Sequence, residues 1–351
     1  MTVLGLGYAG HVVIVRTQFL ITTLLEPLYG AFMVLPKIID DAMDALVVPG
    51  FSRIGYLLRS GKFEPLDHNV LTNKTIVITG PTSGLGKAVA HQLAALGANL
   101  ILVGRSQERL ERTKSELVQD RDGQTFDIVI ADMGDLVAVQ SAVESIRSST
   151  PRLHAIIHNA GALLKERTVT AQGFESTVAT HVLGPHQMTI QLLPLLKASN
   201  GRVITVSSGG MYAAPLPDFL AEESPEMALA YYDGTRQYAI AKRMQVTLNE
   251  MWAEREPEVF FAAMHPGWAD TPGVQESLPL FQTITKPILR SAEQGADTAC
   301  WLASSESVGQ SGKFWSDRAV RPIHRLPRTR NFDSAANRDA LWQWCSHRIL
   351  S

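Results

Sequence analysis

From Thr75 onward, short runs of apolar and β-branched residues alternate with longer stretches in which apolar positions recur at helical spacing. The pattern predicts strands at Thr75–Thr79 (TIVIT), Leu100–Val103, Phe126–Ala131, Leu153–His158, Arg202–Val206 and Val259–Met264. Between them it predicts helices over Gly84–Leu96, Gln107–Val118 and Leu136–Ile146, a long one covering much of Thr170–Leu196, and one carrying Tyr238–Trp252. Short apolar strands alternating with helices imply an α/β fold, a Rossmann-type doubly wound parallel sheet. Right-handed crossovers then put the strand C-terminal ends on one edge, where a ligand belongs.

The chain before this region has a different pattern. His11 to Pro36 is strongly apolar, interrupted among ionisable groups besides His11 only by Arg16 and Glu26. Its length suits a membrane span. Glu26 and Pro27 oppose a span, because charge is costly in hydrocarbon and proline removes a helix hydrogen bond. A helix lying in the bilayer interface, or docked on protein, has the same composition. A cleaved signal peptide fits poorly: no basic cluster precedes the run and no small-x-small site follows it. Residues 1 to 10 carry no basic side chain, whereas Lys37, Arg53, Arg59 and Lys62 follow. That asymmetry predicts membrane association with the catalytic domain in the cytoplasm. The expected organisation is an apolar helical extension (1–45) and a connector (46–73) with an amphipathic turn around Ile54, Leu57 and Leu58. A Rossmann-type catalytic domain (74–316) and a tail with a helix (317–351) follow.

Composition narrows the function. The 351 residues are 45% hydrophobic and 19% charged, an ordinary globular balance. A net charge of −2 gives no basic field for nucleic acid. Two cysteines, Cys300 and Cys345, supply neither a disulfide framework nor a cysteine-based metal site, and no metal is expected. The tail arginines Arg318, Arg321, Arg325, Arg328 and Arg330 suit either anionic lipid or a solvated loop. Trp342 and Trp344 point to packing or dimerisation, which leaves an oligomer open.

The candidate chemistry begins after the first strand, at Thr79-Gly80-Pro81-Thr82-Ser83-Gly84-Leu85-Gly86. Glycines let backbone approach a pyrophosphate, and the helix start offers unpaired N–H groups. A plain turn would not need three glycines. Gly104-Arg105 ends the second strand, where an NAD enzyme usually places an acid for the ribose 2′-hydroxyl. Glycine removes the repulsion an acid would offer a 2′-phosphate, and Arg105 can pair with that phosphate, so NADP(H) is the expected cofactor. The alternative is a solvated arginine at a helix start. Tyr238 and Lys242 stand at i and i+4 on one helix face. A free phenol titrates at about 10, and a nearby ammonium stabilises its anion.

The order TGxxxGxG, then Ser207-Ser208, then YxxxK resembles the short-chain dehydrogenase/reductases, as distinct from their extended, epimerase-like branch with TGxxGxxG. The resemblance covers roughly residues 74 to 315. It implies carbonyl–alcohol interconversion by hydride transfer. Tyr238 would be the acid/base, Lys242 its cationic partner and Ser208 the donor to the substrate oxygen. It places Asp132 at the adenine, with a helix N-cap before Leu136 as the alternative. Asn159-Ala160-Gly161 falls beside the cofactor ribose, with His158 in place of the family's first asparagine. Pro266, Gly267 and Thr271, within a PGxxxT-like segment, fall beside the nicotinamide. One position departs from the family. His181 stands where an asparagine usually holds a water beside the lysine, so it either joins the proton relay or fills space. Longer stretches, Val206–Met211, Met264–Val274, Ala292–Asp297 and Ser311–Phe314, resemble one particular member, and that similarity reaches back into residues 51 to 68.

A substrate loop is expected from Trp268 to about Leu289, carrying Leu278, Leu280, Phe281 and Ile284, with Met211, Tyr212 and Trp268 as an apolar wall. This suits a small apolar carbonyl or alcohol, lipid-, retinoid- or steroid-like. A packed lid without ligand specificity has the same composition. A membrane-tethered nucleotide-binding protein with little turnover is the rival functional expectation, suggested by His181.

Overall fold

The structure, a computed structural model, describes residues 51–351 apart from 120, 122, 223, 271–282, 284, 307 and 350–351, together with Asp40 and Gly50. The chain divides into two units, Met1–Gly50 and Phe51–Ser351. Residues 11–36 lie outside the described residues. Among the described residues no helix is long and apolar enough to cross a membrane.

The second unit is built on β1 (Thr75–Thr79), β2 (Asn99–Gly104), β3 (Phe126–Ile130), β4 (Ala155–His158), β5 (Arg202–Val206), β6 (Phe260–Met264), β7 (Lys313–Ser316) and β8 (Ala319–Val320). Their order is β3-β2-β1-β4-β5-β6-β7-β8. The first seven run parallel and β8 turns back against β7. Ile78 pairs with Leu102 on one side and Ile157 on the other. The strand order reverses between β1 and β4, which opens the crevice expected of a doubly wound sheet. Helices cover both faces, so the strands are buried on both sides and read as continuous apolar runs. Period two still sorts them: Val77 joins the core on one face, Ile76 and Ile78 the core on the other.

The helices are α1 (Arg53–Ser60), α2 (Gly84–Ala95), α3 (Gln107–Val118), α4 (Leu136–Ser149), α5 (Gly184–Lys197), α6 (Gly234–Arg255), α7 (Ala292–Ser304) and α8 (Ala335–Ser346). The long helix expected over much of Thr170–Leu196 forms from Ser176 onward, with a π-helical turn inside it. One short turn, Ser176–Val178, leads into a π-helical turn at Ala179–Leu183, and only then does α5 begin. Such turns insert a residue into the helical ladder and favour functional sites. Here the turn carries His181. Gly184 follows it because any Cβ there would stand 2.0 Å from the Met133 carbonyl oxygen.

Several local expectations change. The amphipathic stretch at residues 53–60 is a helix, but Ile54, Leu57 and Leu58 face outward while Gly55 and Arg59 are buried. On the buried side Arg59 reaches Asp317 at 2.8 Å. Three of the five tail arginines are taken up by the protein, while Arg328 and Arg330 stay exposed. Arg318 pairs with Asp297 at 2.6 Å, Arg321 is buried, and Arg325 lies 5.0 and 4.4 Å from the rings of Phe51 and Tyr212. Trp342 packs on Trp252 and Trp344 on Phe219. Both cysteines are buried and unpaired. Asp135, not Asp132, caps α4, accepting from Val137 N and Ala138 N. Asp132 instead holds Gly134 N at 2.8 Å.

Candidate functional site

The carboxyl ends of the strands open on a cleft of about 1590 Å³. Pockets for a single small molecule run to roughly 1,000 Å³, so this one has room for a dinucleotide and a second molecule. Of the catalytic and cofactor-binding residues expected from the sequence and described here, all but Thr79 line it. Thr271 lies outside the described residues, as do Leu278, Leu280, Phe281 and Ile284.

Local sequence makes the front wall. β1 is followed by Gly80, whose φ of +68° suits glycine, and Gly84 opens α2 at φ +49°. A Cβ on Gly86 would stand 2.1 Å from the Gly80 carbonyl oxygen. The loop therefore folds tightly against the helix start only because that Cβ is missing. Ser83 precedes α2 without a side-chain cap, so the first-turn N–H groups are presented to the cleft, as an anion requires. Thr79 is buried behind the loop, where its hydroxyl accepts from Asn159 N and Ala160 N at 3.1 and 3.0 Å. The Asn159 amide donates to the Thr79 and Gly80 carbonyls, both at 3.1 Å. These bonds tie the end of β4 to the glycine loop. Arg105 stands at the end of β2, exposed, 3.6 Å from Asp132. An exposed pair of this kind is worth little, so the guanidinium stays available to a phosphate. Ser106 and Arg109 line the cleft beside it. The sequence reading passed over Arg109 as part of a charged helix face, although its i+4 spacing from Arg105 was visible.

Tyr238 and Lys242 project from α6 into the same cleft as Ser208, which follows β5. Lys242 Nζ donates to the Val206 carbonyl at 2.8 Å and lies 5.3 Å from the Tyr238 ring centre. Ser207 donates from its hydroxyl to the Lys242 carbonyl at 3.1 Å, which locks β5 to α6. Ser208 accepts from Gly210 N and is hydrogen-bonded to the Tyr238 hydroxyl. Burial pushes the Tyr238 phenol up, and the Ser208 bond opposes it. Burial also pushes Lys242 down, to about 7. Sequence reasoning expected the ammonium to depress the phenol. In the folded protein both groups lose water, and desolvation favours the neutral phenol and neutral amine.

His181 is buried, 1% exposed, with its ring edge-on to Tyr238 at 5.3 Å. Burial, then the nearby Lys242, holds its pKa well below the usual histidine value. Its Nε2 lies 3.0 Å from Ala162 O and 3.2 Å from Ala162 N. Gln245 Nε2 donates to the His181 carbonyl at 2.8 Å. His158, at the end of β4, bonds Thr189 at 2.8 Å, and burial lowers it to about 3.

The rear wall holds the expected Pro266, Gly267 and Trp268, but its support from residues 51–59, Arg290 and Asp317 was not foreseen. Pro266 and Gly267 line the cleft, and Gly267 has φ +73°. Trp268 N donates to Phe51 O at 2.8 Å and Arg290 Nε to Ser52 O at 3.1 Å. Arg290 forks onto Asp317, at 2.5 and 3.0 Å, and Arg59 meets the same carboxylate. Burial pushes Asp317 up, but Arg290 and Arg59 outweigh it and hold the carboxyl below the usual range. Met211 and Tyr212, expected to face the substrate, are buried with Phe51 instead, and Tyr212 donates to Pro322 O. Trp268 does line the cleft, and Leu163, Leu164, Met227, Tyr231 and Ile240 supply apolar lining that the sequence reading had not singled out.

A family model described as short chain dehydrogenase matches residues 74–216. The chain is 38% identical over 295 residues to dehydrogenase/reductase SDR family member 12 of Bos taurus, the member whose longer stretches it resembles, covering 83% of this chain and 91% of that protein. It is 30% identical over 285 residues to retinol dehydrogenase 12 of Homo sapiens, covering 78% of this chain and 85% of that protein. Among solved structures, L-sorbose reductase of Gluconobacter frateurii, complexed with NADPH and L-sorbose, aligns at TM-score 0.56 and 20% identity, over 71% of this chain and 96% of that one. The 3-ketoacyl-(acyl-carrier-protein) reductase of Brucella melitensis, complexed with NADH, aligns at TM-score 0.55 and 25% identity, over 69% and 96%.

Proposed function

The chain belongs to the short-chain dehydrogenase/reductase family of oxidoreductases acting on CH–OH and C=O groups, and on that premise we propose that it is an NADP(H)-dependent enzyme for an apolar carbonyl–alcohol pair. The observation that carries this reading is the convergence of Ser208, Tyr238 and Lys242 in the cleft that the glycine-rich loop also lines. The missing Cβ of Gly86 and the uncapped start of α2 fit a pyrophosphate. Gly104, Arg105 and Arg109 fit a 2′-phosphate, as the absence of an acid at the end of β2 requires. When bound, the dinucleotide supplies or accepts the hydride.

Tyr238 gives its hydroxyl proton to the carbonyl oxygen in reduction and takes one from the alcohol in oxidation. Ser208 donates a hydrogen bond to the same oxygen and steadies its developing charge. Lys242, when protonated, stabilises the phenolate left behind. The apolar lining around Leu163, Leu164, Met227 and Trp268 favours a lipid-, retinoid- or steroid-like substrate. Retinol dehydrogenase 12 adds an analogy from its name alone. The decisive experiment is turnover of NADPH with a panel of ketones, aldehydes and retinoids, wild type against Tyr238→Phe. The variant should bind NADPH as before and lose turnover by at least roughly a hundredfold, the share a positioned general acid contributes. Near-wild-type turnover would remove Tyr238 from this role.

We further infer membrane association through residues 11–36, with the catalytic unit in the cytoplasm, from the length, hydropathy and flanking charges of that segment. Fractionation of the full chain beside one starting at Val47 tests it. Equal recovery of both in the soluble fraction would overturn it.

A further inference from the structure

Behind the cleft lies a second, small pocket of about 30 Å³. His158, His181, His186, Thr189, Gln245 and Trp252 line it. His181 also lines the cleft, so one imidazole borders both spaces. The polar side chains are deeply buried: His158 is 3% exposed, His181 1%, His186 2% and Gln245 5%. Yet Nδ1 of His158, Nδ1 of His181, both ring nitrogens of His186 and Oε1 of Gln245 have no hydrogen-bond partner among the described residues. Buried polar atoms in native proteins are satisfied by protein or by ordered water. A pocket of this size has room for one or two waters, and several polar atoms on its walls give each water the partners it needs.

We propose that this pocket is a built water site, and that its water selects the tautomer of His181 and so makes His181 a positioning residue for Tyr238. The inference rests on Tyr238 being the acid/base. Nε2 of His181 faces both the carbonyl and the N–H of Ala162, which lines the cleft. It can serve only one of them in a given tautomer. In the tautomer proposed, Nε2 carries the proton and donates to the carbonyl at 3.0 Å. Nδ1 then accepts from pocket water. Burial and Lys242 keep the ring neutral, which preserves this division of roles. Gln245 holds the ring's own backbone carbonyl at 2.8 Å, and the ring meets Tyr238 edge-on. A π-helical turn carries His181 and gives it this two-sided position.

The test is imidazole nitrogen NMR on the histidine-labelled full chain with NADPH bound, together with steady-state kinetics. In the wild type, His181 should be protonated on Nε2 with Nδ1 accepting a hydrogen bond. His186→Leu, which makes one wall of the pocket apolar, should move the His181 nitrogen shifts and lower kcat roughly tenfold, within the range that a small misplacement of catalytic groups costs. KM and the Kd for NADPH should hold, and His186→Asn should restore kcat. If His186→Leu fails to fold, Gln245→Met carries the same expectation. A wild-type ring protonated on Nδ1 overturns the proposal. So do shifts that stay fixed in a folded variant, or shifts that move while kcat stays within twofold. A wild type with no turnover of any carbonyl overturns the activity reading instead, and the nitrogen shifts still decide the water site.

Discussion

The front and rear walls of the cleft are made in different ways. The front wall is one continuous stretch, Thr79 to Gly86, closed by Asn159 from the next strand of the sheet. Its shape follows from which positions lack a Cβ. The rear wall brings together residues 51–59, 265–268, 290 and 317, and a buried charge cluster holds them. The front wall shows a ligand site that is legible because it is local. The rear wall shows that a segment with no motif can be as important to the site's geometry.

The largest effect expected of a single substitution tests the rear wall. Asp317→Ala leaves Arg290 and Arg59 buried without their carboxylate. Breaking a buried pair by removing one partner costs about 3–5 kcal/mol, so urea or thermal unfolding should show a loss of that size. A loss under about 1 kcal/mol, the worth of a surface pair, would erase the contrast between the walls.

The front wall should respond in binding rather than in stability. Arg105→Ala should weaken NADPH by roughly 1.5–3 kcal/mol, the range for a hydrogen bond to a charged group, and leave NADH and the melting temperature unchanged. Fluorescence titration of both cofactors reads it. Equal losses for the two cofactors would mean that Arg105 does not meet the 2′-phosphate.

The last test, read as a slope against pH, concerns neither wall but the floor between them. Burial lowers His158 to about 3, His186 to about 4 and His181 well below its usual value. An unfolded chain protonates histidine at about 6.5, so below that pH the unfolded state binds more protons than the folded one. Stability should be complete above about pH 6.5 and fall as the pH drops toward 4 and then 3, by up to roughly 1.4 kcal/mol per pH unit for each group. Urea midpoints across that range check it, and His186→Leu should flatten the slope. A midpoint constant from pH 7 to 4.5 would contradict the buried, neutral state of these rings.

The sequence by itself determined the parallel sheet, the glycine-rich loop and the Tyr238–Lys242 pair, whereas Ser208 was placed only by resemblance to the family. The causes there are short-range: period-two and helical spacing, a missing Cβ, and two side chains one helical turn apart. Other features passed unseen because long-range partners decide them. Ile54, Leu57 and Leu58 marked an amphipathic turn, but which face is buried came only with the fold, where Arg59 reaches Asp317, 258 positions away. Met211 and Tyr212 looked like substrate wall, but Phe51 draws them into a cluster of its own. The tail arginines suited either lipid or a solvated loop, and only the fold shows Asp297 engaging Arg318 and two aromatic rings engaging Arg325. His181 was recognised as a departure, yet its environment came only with the fold, since His158, His186 and Gln245 meet it from separate elements. Burial is the common reason. It multiplies the cost of an unpaired charge or an unsatisfied nitrogen, and only the folded chain shows which groups lose their water.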